Sequence, residues 1–512
     1  MAGIKKHSLF LTLFFLILIF SRFYNLDYTA RFTQDESSDL ARMHAYWGEK
    51  KLTLVGPIAV DNSKIFGSLT YYMQMPFAVL YNFEPVGPAI GTAFWGVITV
   101  ILLMFLSLQQ MNIEKNEQNK LKIQRKNHKD SFLLQIKNTL QKIQQITTTD
   151  SWLILFWILI LIWPPLLLTS RWAWNPHLIP FWISLALVLR QLKFKSKYFF
   201  IGLFLGLTIH HHYLSVFAIG AFAICDFVKL LKQKSYSSAI LLTVGLISAV
   251  FPFVIFDLRH PPGLFFTRYL QSDTPHLADS QSLNLLDNLV RNFLAGLTQV
   301  VHLWWLQLLF VIGFVELIWL DLKKDKQHLL YLVPVFAQIV CCIVIDDFPQ
   351  RYFLPAAVFL LAWLIQSRKN FASKTANYLL ILMIISSLVQ LPRILSQPIL
   401  SPPMRVTTQA QHVIIDLLND NPEIMNCNIA ALTARDLDSL GLKYRDLLSI
   451  RGITFRAASE YDATEHLFVV SDLDEISVRK DKNVAMSYFK DQELRGEYLL
   501  NEDPWRVFWF SY

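Results

Sequence analysis

The sequence predicts a mainly α-helical, polytopic membrane protein of about 11 transmembrane helices, with a small C-terminal α/β or α+β domain outside the membrane. Hydrophobic residues make up 54% of the 512 residues and charged residues only 17%, whereas soluble proteins carry about 25% charged residues. Apolar runs long enough to cross a bilayer recur along the chain. Lys and Arg collect in short loops between these runs, as in cytoplasmic loops. The net charge of +8 therefore reflects topology, and we expect no nucleic-acid partner.

The N-terminal region is predicted to cross the membrane once and then form a large loop. Lys5 and Lys6 precede the first apolar run, residues 8–26, and no small-residue cleavage site follows it. We therefore expect an uncleaved first helix whose N-terminus is cytoplasmic. Residues 27–87 then form the first extracytoplasmic loop, in which the aromatic stretch 69–83 lies on the membrane as an interfacial helix.

The later spans follow from apolar length and from the side on which Lys and Arg collect. They are expected at residues 89–108, 152–169, 178–191, 237–256, 294–320, 329–345, 352–367 and 376–391. Residues 111–150 are rich in Lys, Gln and Asn and form a basic cytoplasmic insert. Residues 198–228 have basic flanks at both ends, so we expect two short half-spans that turn at His210-His211-His212.

Two domains are expected. Residues 1–391 form the membrane domain, and a proline-containing linker leads into the less hydrophobic residues 392–512. An odd number of spans places this second domain on the extracytoplasmic side. The four cysteines show neither a CxxC motif nor a Cys/His spacing, so no disulfide framework and no zinc site is predicted.

This topology gathers charged and polar residues of five segments on the extracytoplasmic face. They are Asp35 and Glu36; Arg171, Asn175 and His177; His210, His211 and His212; Asp257, Arg259 and His260; and Asp346, Asp347 and Arg351. Charges at membrane depth are costly unless they are paired or functional. Both signs together suit a substrate that has an anionic group and a hydroxyl to be deprotonated. A lipid-linked phosphate would supply the anion, and arginine is its fork-shaped ligand.

The order of the motifs resembles the GT-C superfamily of glycosyltransferases that use polyprenyl-phosphate-linked sugars. The branch it resembles contains protein O-mannosyltransferases, aminoarabinose transferases of lipid A and rhizobial lipopolysaccharide transferases. The matching motifs are Gln34-Asp35-Glu36, Leu54-Val-Gly-Pro57, Gly67-Ser-Leu-Thr-Tyr71-Tyr72, Ser170-Arg-Trp-Ala-Trp-Asn-Pro176, Gly206-Leu-Thr-Ile-His-His-His-Tyr213, Phe256-Asp-Leu-Arg-His260 and Arg351-Tyr-Phe-Leu-Pro355. The resemblance covers roughly residues 8–390. Relatives often carry a proline before the tyrosines, where this chain has Gly67-Ser-Leu-Thr, and the insert 111–150 is also atypical.

The resemblance implies an inverting transfer of a sugar to a glycan, lipid or protein acceptor at the extracytoplasmic face of the plasma (inner) membrane. Asp35 would be the general base, and Glu36 would orient its surroundings or an acceptor group. The residues expected to bind the donor phosphate are Arg351, Arg259, His260 and Arg171. The residues expected to bind substrate are Tyr71, Asn175, His211 and Tyr352. The branch is generally metal-independent, so no cofactor is expected; a divalent cation held by Asp346 and Asp347 together with Asp35 stays unassigned.

Each of these residues also has a structural interpretation. Asp35 and Glu36 could be the acidic first turn of a helix. Arg351 could anchor a helix end at the lipid headgroups, and Asp257 could pair with Arg259. Adjacent histidines point in different directions on a helix, which disfavours a shared metal ion at His210–His212.

Two other functions compete with glycosyl transfer. A transporter or lipid flippase would carry paired repeats with charges at mid-span, and the sequence shows charges at span ends. A non-catalytic scaffold that displays the C-terminal domain would leave the charged face unexplained. No glycine-rich phosphate loop is evident, which argues against a nucleotide-sugar donor.

Overall fold

The computed structural model describes residues 2–58, 65–120, 150–261, 263, 265, 285–324, 326–341, 350–368, 374–399, 402–433 and 439–512. Within these residues the chain is mainly α-helical and ends in a small domain with a β-sheet, as the sequence predicts. Most of the predicted insert 111–150 lies outside the described residues, and so do Asp346 and Asp347.

The first half of the chain holds eleven named helices and a short hairpin among its described residues. The helices are α1 (Ala2–Phe23), α2 (Leu26–Thr29), α3 (Gln34–Gly48), α4 (Leu69–Leu80), α5 (Val86–Lys120), α6 (Ser151–Ile162), α7 (Pro164–Leu167), α8 (Ile179–Gln191), α9 (Lys197–His211), α10 (Ser215–Lys232) and α11 (Tyr236–Arg259). Strands β1 (Val55–Ile58) and β2 (Ile65–Gly67) pair antiparallel within the first loop. The break between α9 and α10 falls where the sequence predicts the turn.

The second half continues the helical part and then forms the C-terminal domain. Its helices are α12 (Leu285–Val300), α13 (Trp304–Lys324), α14 (Leu332–Cys341), α15 (Gln350–Ser367), α16 (Lys374–Ser396), α17 (Met404–Asp420), α18 (Leu442–Ile450), α19 (Glu475–Arg479) and α20 (Val484–Phe489). Its strands are β3 (Cys427–Leu432), β4 (His466–Ser471), β5 (Glu493–Leu499) and β6 (Arg506–Ser511).

Length and composition identify four described helices that can each cross a membrane: α5, α11, α13 and α16. The pair α6–α7, extended to Arg171 and bent by 48°, makes a fifth. Shorter apolar helices lie within residues 9–23, 328–340 and 351–367. The chain is therefore a multi-pass membrane protein, and the number of about 11 spans stays a prediction.

Helix α9 packs closely on α11 through glycines. A Cβ on Gly202 would stand 2.1 Å from the carbonyl oxygen of Leu242, and one on Gly245 would stand 2.1 Å from that of Phe199. Small residues allow such backbone contact between helices in lipid, where association depends on close packing.

Helix α6 ends because Pro164 and Pro165 have no N–H to donate. The carbonyls of Ile160 and Leu161 therefore lose the donors they would have four residues later in a continuing helix. Arg22, fully buried in α1, donates to both carbonyls, at 3.3 Å for Ile160. A guanidinium from a distant helix thus replaces the two missing backbone hydrogen bonds.

The predicted single span at 294–320 is two helices, α12 and α13, and this prediction was wrong. The backbone groups freed at the break find partners elsewhere. Trp163 Nε1 donates to Val300 O at 3.3 Å, Gln307 Nε2 donates to Val301 O at 3.0 Å, and His302 N donates to Ser386 Oγ at 2.7 Å. Because each of these three backbone groups has a hydrogen-bond partner, the break is tolerated inside a membrane protein.

The C-terminal domain contains a four-stranded sheet in the order β3-β4-β6-β5. Strands β3 and β4 are parallel, and the other two pairs are antiparallel, so the sheet is mixed. Each residue of β3 is buried, which is typical of a strand covered on both faces. Helices α17 and α18 carry apolar residues into one of the two cores, where Val406 and Tyr444 pack with Phe468.

Candidate active site

Helix α3 of the first loop begins with a capping box. Thr33 is the N-cap residue, and its backbone N–H donates to Glu36 Oε2 at 2.7 Å. Glu36 stands three residues on, where such a box requires an acid or amide. The two acidic residues of the first turn, Asp35 and Glu36, also lie at the positive end of the helix dipole. The local sequence therefore fixes where the Asp35 side chain leaves the helix.

Glu36 is buried and holds α3 against the segment after α7. Its Oε1 accepts a hydrogen bond from Trp172 Nε1 at 2.7 Å, and its Oε2 accepts from Thr33. Only 4% of the residue is exposed. Both carboxylate oxygens are thus occupied, so the structure favours an orienting role for Glu36 over direct contact with substrate.

Asp35 is half-buried and differs from its neighbour. No hydrogen bond or ion pair reaches its carboxylate from the part of the chain that the structure describes. Burial, reinforced by the charge of Glu36, raises the pKa of Asp35 to about 6, and the charges of Arg31, Arg351 and Arg42 oppose this rise. A carboxylate that is unpaired, partly dry and titrates near neutrality has the properties of a general base.

Two arginines beside Asp35 rest on a pair of stacked tryptophans. The rings of Trp172 and Trp174 are 4.6 Å apart and nearly parallel. The Arg31 guanidinium carbon lies 4.3 Å from the Trp172 centroid, and that of Arg351 lies 4.9 Å from the Trp174 centroid. Neither arginine forms an ion pair within the described ranges, and Arg31 Nε is buried without a hydrogen-bond partner. Cation–π contacts hold the two charges in place, which leaves their electrostatic attraction available to an anion.

Tyr352 and His212 extend this cluster. Arg351 Nη2 lies 3.3 Å from the Tyr352 hydroxyl and its guanidinium carbon 4.7 Å from the Tyr352 centroid. The Tyr352 ring is 5.3 Å from that of His212. The start of α15 and the end of α9 therefore meet at the face that carries Arg351.

Asp39 and Tyr71 form a second layer behind Asp35. Asp39 lies one helical turn after Asp35, on the same face of α3, and accepts a hydrogen bond from the Tyr71 hydroxyl at 2.7 Å. Burial raises the pKa of Asp39 to about 8. Tyr71 is fully buried, so its placement favours support of α3 over the substrate contact that the sequence predicted.

Two further predicted residues, Arg171 and Asn175, form hydrogen bonds inside the protein. Arg171 donates to the backbone carbonyls of Ser21 and Tyr24, each at 2.7 Å. Asn175 Nδ2 donates to His211 O at 2.6 Å. These bonds tie the segment after α7 to α1 and α9, so they favour structural roles over the predicted phosphate and substrate contacts.

His211 is fully buried, and both of its ring nitrogens are engaged. Trp182 Nε1 donates to Nε2 at 2.9 Å, so in the neutral ring Nδ1 carries the proton and donates to Thr70 Oγ1 at 2.8 Å. His210 Nε2 instead bonds to Ala249 O at 2.7 Å. Among the described residues, no three His, Cys, Asp or Glu side chains converge as metal ligands.

Arg259 and His260 lie apart from this cluster. Both are exposed at the end of α11, and His260 stacks on Phe256 with ring centroids 4.3 Å apart. Among the described residues, no hydrogen bond, ion pair or ring contact joins Arg259 or His260 to Asp35, Arg31 or Arg351, and the side-chain contacts of His260 are with Phe256. The structure thus brings together Asp35, Glu36, Arg351 and Tyr352 of the predicted residues, and does not bring Arg259 and His260 to them.

Sequence reasoning missed Arg31, Asp39 and the two tryptophans. Arg31 stands four residues before Asp35, and the spacing Asp35-x₃-Asp39 places both acids on one helix face. Trp172 and Trp174 lie inside a motif that was recognised, but tryptophans at span ends are ordinarily interface anchors.

No family model matches the chain, and no curated protein sequence matches it. Among solved structures, the crystal structure of ArnT from Cupriavidus metallidurans bound to undecaprenyl phosphate is similar. The match covers 98% of this chain and 97% of that chain, with a TM-score of 0.55 and 9% sequence identity. At this identity the similarity shows the fold. The chain shares the fold of that structure over 98% of its length, which confirms the fold class that the motif order predicted.

Proposed function

We propose that this chain, with its GT-C fold, transfers a sugar from a polyprenyl-phosphate carrier to an acceptor hydroxyl, with Asp35 as the general base. One observation carries the proposal. A half-buried carboxylate without a described partner stands beside two arginines that also lack a described carboxylate partner. In such a site the carboxylate can accept a proton and the two arginines can bind an anion. The ArnT structure, which has the same fold, is bound to undecaprenyl phosphate.

In the proposed reaction Asp35 takes the proton of the acceptor hydroxyl as its oxygen attacks C1 of the sugar. The bond from C1 to the acceptor oxygen forms while the bond from C1 to the phosphate oxygen breaks, and the configuration at C1 inverts. The electron pair of the broken bond leaves with the polyprenyl phosphate. Because phosphate is a good leaving group, no carboxylic acid has to protonate it, unlike in glycoside hydrolysis.

Arg351 and Arg31 would stabilise the phosphate as its charge grows. The donor is a phosphodiester, and the product is a monoester with an additional negative charge near neutral pH. Two fixed guanidinium groups favour the more highly charged product side of the reaction, which is how preorganised cations lower a barrier. Tryptophan faces hold both groups before substrate binds, so little reorganisation is needed.

The proposed orientation in the membrane rests on the Lys and Arg residues that collect in the short loops between apolar runs. The N-terminus is proposed to be cytoplasmic, and Asp35, the arginines and the C-terminal domain to be extracytoplasmic. The acceptor hydroxyl belongs to a glycan, a lipid or a protein on that side. The plasma (inner) membrane is the proposed location.

The test is sugar transfer by the full chain in lipid nanodiscs from a panel of radiolabelled polyprenyl-phosphate sugars. We expect wild type to transfer sugar and Asp35→Asn to lose about 10²–10⁴-fold in rate while donor binding is retained. Asp462→Asn is the matched control, since Asp462 is exposed in the C-terminal domain. Equal rates for wild type and Asp35→Asn would remove Asp35 from the mechanism.

The same panel of donors, with the full chain in sealed proteoliposomes, separates transfer from transport. Donor binding without product over glycan, lipid and protein acceptors, together with movement of the donor across the bilayer, would favour the flippase alternative.

A further inference from the structure

Helix α3, which carries Asp35, is held from two sides. On the membrane side Glu36 bonds to Trp172, and Asp39 bonds to Tyr71. On the other side α3 packs against α18 of the C-terminal domain. The proposed base thus lies on a helix that the two parts of the chain share.

The polar contact between α3 and α18 lies in the first turn of α3. Ser37 Oγ donates to Asp446 Oδ2 at 2.7 Å. Ser37 is fully buried and stands two residues after Asp35. A hydrogen bond to a carboxylate is stronger than one between neutral groups. Ser37 Oγ also lies 3.1 Å from Gln34 O, so loss of Asp446 leaves the hydroxyl an acceptor within its own helix.

The apolar contact continues along the same face. Leu40 and Met43 of α3 are buried in one cluster with Leu447 and Ile450 of α18 and with Met404 of α17. This cluster crosses from the first loop into the C-terminal domain, so the two share a core there.

Two ionic contacts fix the C-terminal domain without touching α3. Arg405 binds both oxygens of Asp27, at 2.7 and 3.1 Å. Arg451 Nη2 donates to Glu84 Oε1 at 2.5 Å. These contacts attach the domain to the two ends of the first loop, where they orient α18 toward α3.

We infer that the C-terminal domain is a working part of the active site: α18 holds the first turn of α3 through Ser37 and Asp446 and so sets the direction of the Asp35 carboxylate. The inference rests on the proposed function of Asp35. It follows because, within the described chain, no hydrogen bond fixes Asp35 itself, so its position depends on the helix that carries it. Ser37 and Asp446 are therefore positioning residues.

The test compares Asp446→Ala, Asp446→Asn and Ser37→Ala in the full chain in nanodiscs. We expect kcat to fall at least tenfold and up to about 100-fold in both alanine variants, because small displacements of a reacting group cost that much. The donor KM should stay unchanged, since the arginines are untouched. Asp446→Asn keeps an acceptor oxygen and should recover most of the rate. Arg506→Ala, which breaks an ion pair with Glu497 on the far sheet edge, should match wild type.

Hydrogen exchange of the α3 amides gives a second readout that needs no activity. The first turn should exchange faster in Asp446→Ala and as in wild type in Arg506→Ala. Asp35→Asn is assayed in parallel. An inactive Asp35→Asn together with a fully active, normally exchanging Asp446→Ala would overturn the positioning role alone. An active Asp35→Asn would overturn the proposed base, and faster exchange in Asp446→Ala would still support the α3–α18 contact.

Discussion

The pH dependence of sugar transfer tests the proposed base and its surroundings together. Burial and Glu36 raise the pKa of Asp35 to about 6. A general base works only when it is deprotonated, so kcat/KM should rise with pH and level off above the pKa. With a pKa of about 6, roughly 91% of Asp35 is ionised at pH 7 and roughly 9% at pH 5, so the rate should fall about tenfold between them. The donor has no second phosphate ionisation in this range, so the midpoint belongs to the protein.

Substitution of Arg351 should change the pKa of Asp35. Its positive charge lowers the pKa of Asp35, so Arg351→Gln should move the midpoint of the kcat/KM curve to higher pH. The plateau should also drop by about 10²–10³-fold if the guanidinium stabilises the leaving phosphate. Arg351→Lys keeps the positive charge but loses the two parallel N–H donors of the guanidinium. The midpoint of its kcat/KM curve should match that of wild type, and the plateau of that curve should be lower. The assay is initial rate against pH at subsaturating donor, from pH 4.5 to 8.5.

Two outcomes would refute this reasoning. A wild-type midpoint near pH 4 would mean that Asp35 is solvated like an exposed carboxyl. An unchanged midpoint in Arg351→Gln would mean that the charge of Arg351 does not affect the pKa of Asp35, and the proposal that both belong to one site would be wrong. A lower plateau alone, without the shift, would assign Arg351 to the donor and separate it from the base.

Three further substitutions probe the supports of the site, each measured by thermal unfolding of the purified protein. Arg22→Leu leaves the carbonyls of Ile160 and Leu161 at the end of α6 without donors, and should lower the free energy of unfolding by about 2–5 kcal/mol. An unchanged melting temperature would contradict the role of Arg22 as the donor to these carbonyls. Glu36→Ala removes the acceptor of the Thr33 backbone N–H in the capping box and that of Trp172 Nε1, so it should cost about 1–3 kcal/mol. Asp39→Asn should raise the melting temperature, and the gain should grow from pH 4 to pH 8.

The sign of the Asp39 effect follows from proton binding. The pKa of Asp39 is 3.8 for the free side chain and about 8 in the folded protein. Between these values the folded state binds more protons than the unfolded state, so stability is lost as the pH rises through this window. Asn keeps an acceptor for the Tyr71 hydroxyl and removes the ionisation. A gain that is the same at pH 4 and pH 8 would contradict the raised pKa.

The membrane helices were predictable because apolar length and loop charge are local properties of the sequence. The turn after α9 followed from the basic flanks of residues 198–228. The break between α12 and α13 did not, because no proline or glycine marks it. It depends on donors from Trp163 and Gln307 and an acceptor from Ser386 that become available only in the folded structure.

The candidate site was predictable where its signal is local. Asp35 follows an apolar span and opens a capped helix, and both features can be read within a few residues. The pairing of Arg31 with Trp172 joins positions about 140 residues apart, which a single sequence does not connect. Arg171 and His211 have side chains of the types that bind substrates. The structure shows that both already form hydrogen bonds within the protein, which the sequence does not reveal.

The hydrogen bonds from Arg22 to the last carbonyls of α6 have a consequence for the order in which the helices pack during synthesis. Arg22 leaves the ribosome 139 residues before Leu161, its carbonyl partner. Until α6 is synthesised, the Arg22 guanidinium lacks these two carbonyl acceptors, and from the end of α1 it can reach the lipid headgroups instead. We therefore expect α1 to reach its final position only after α6, which ends at the two prolines, has been synthesised. We thus expect a later segment, α6, to complete the packing of an earlier one, α1.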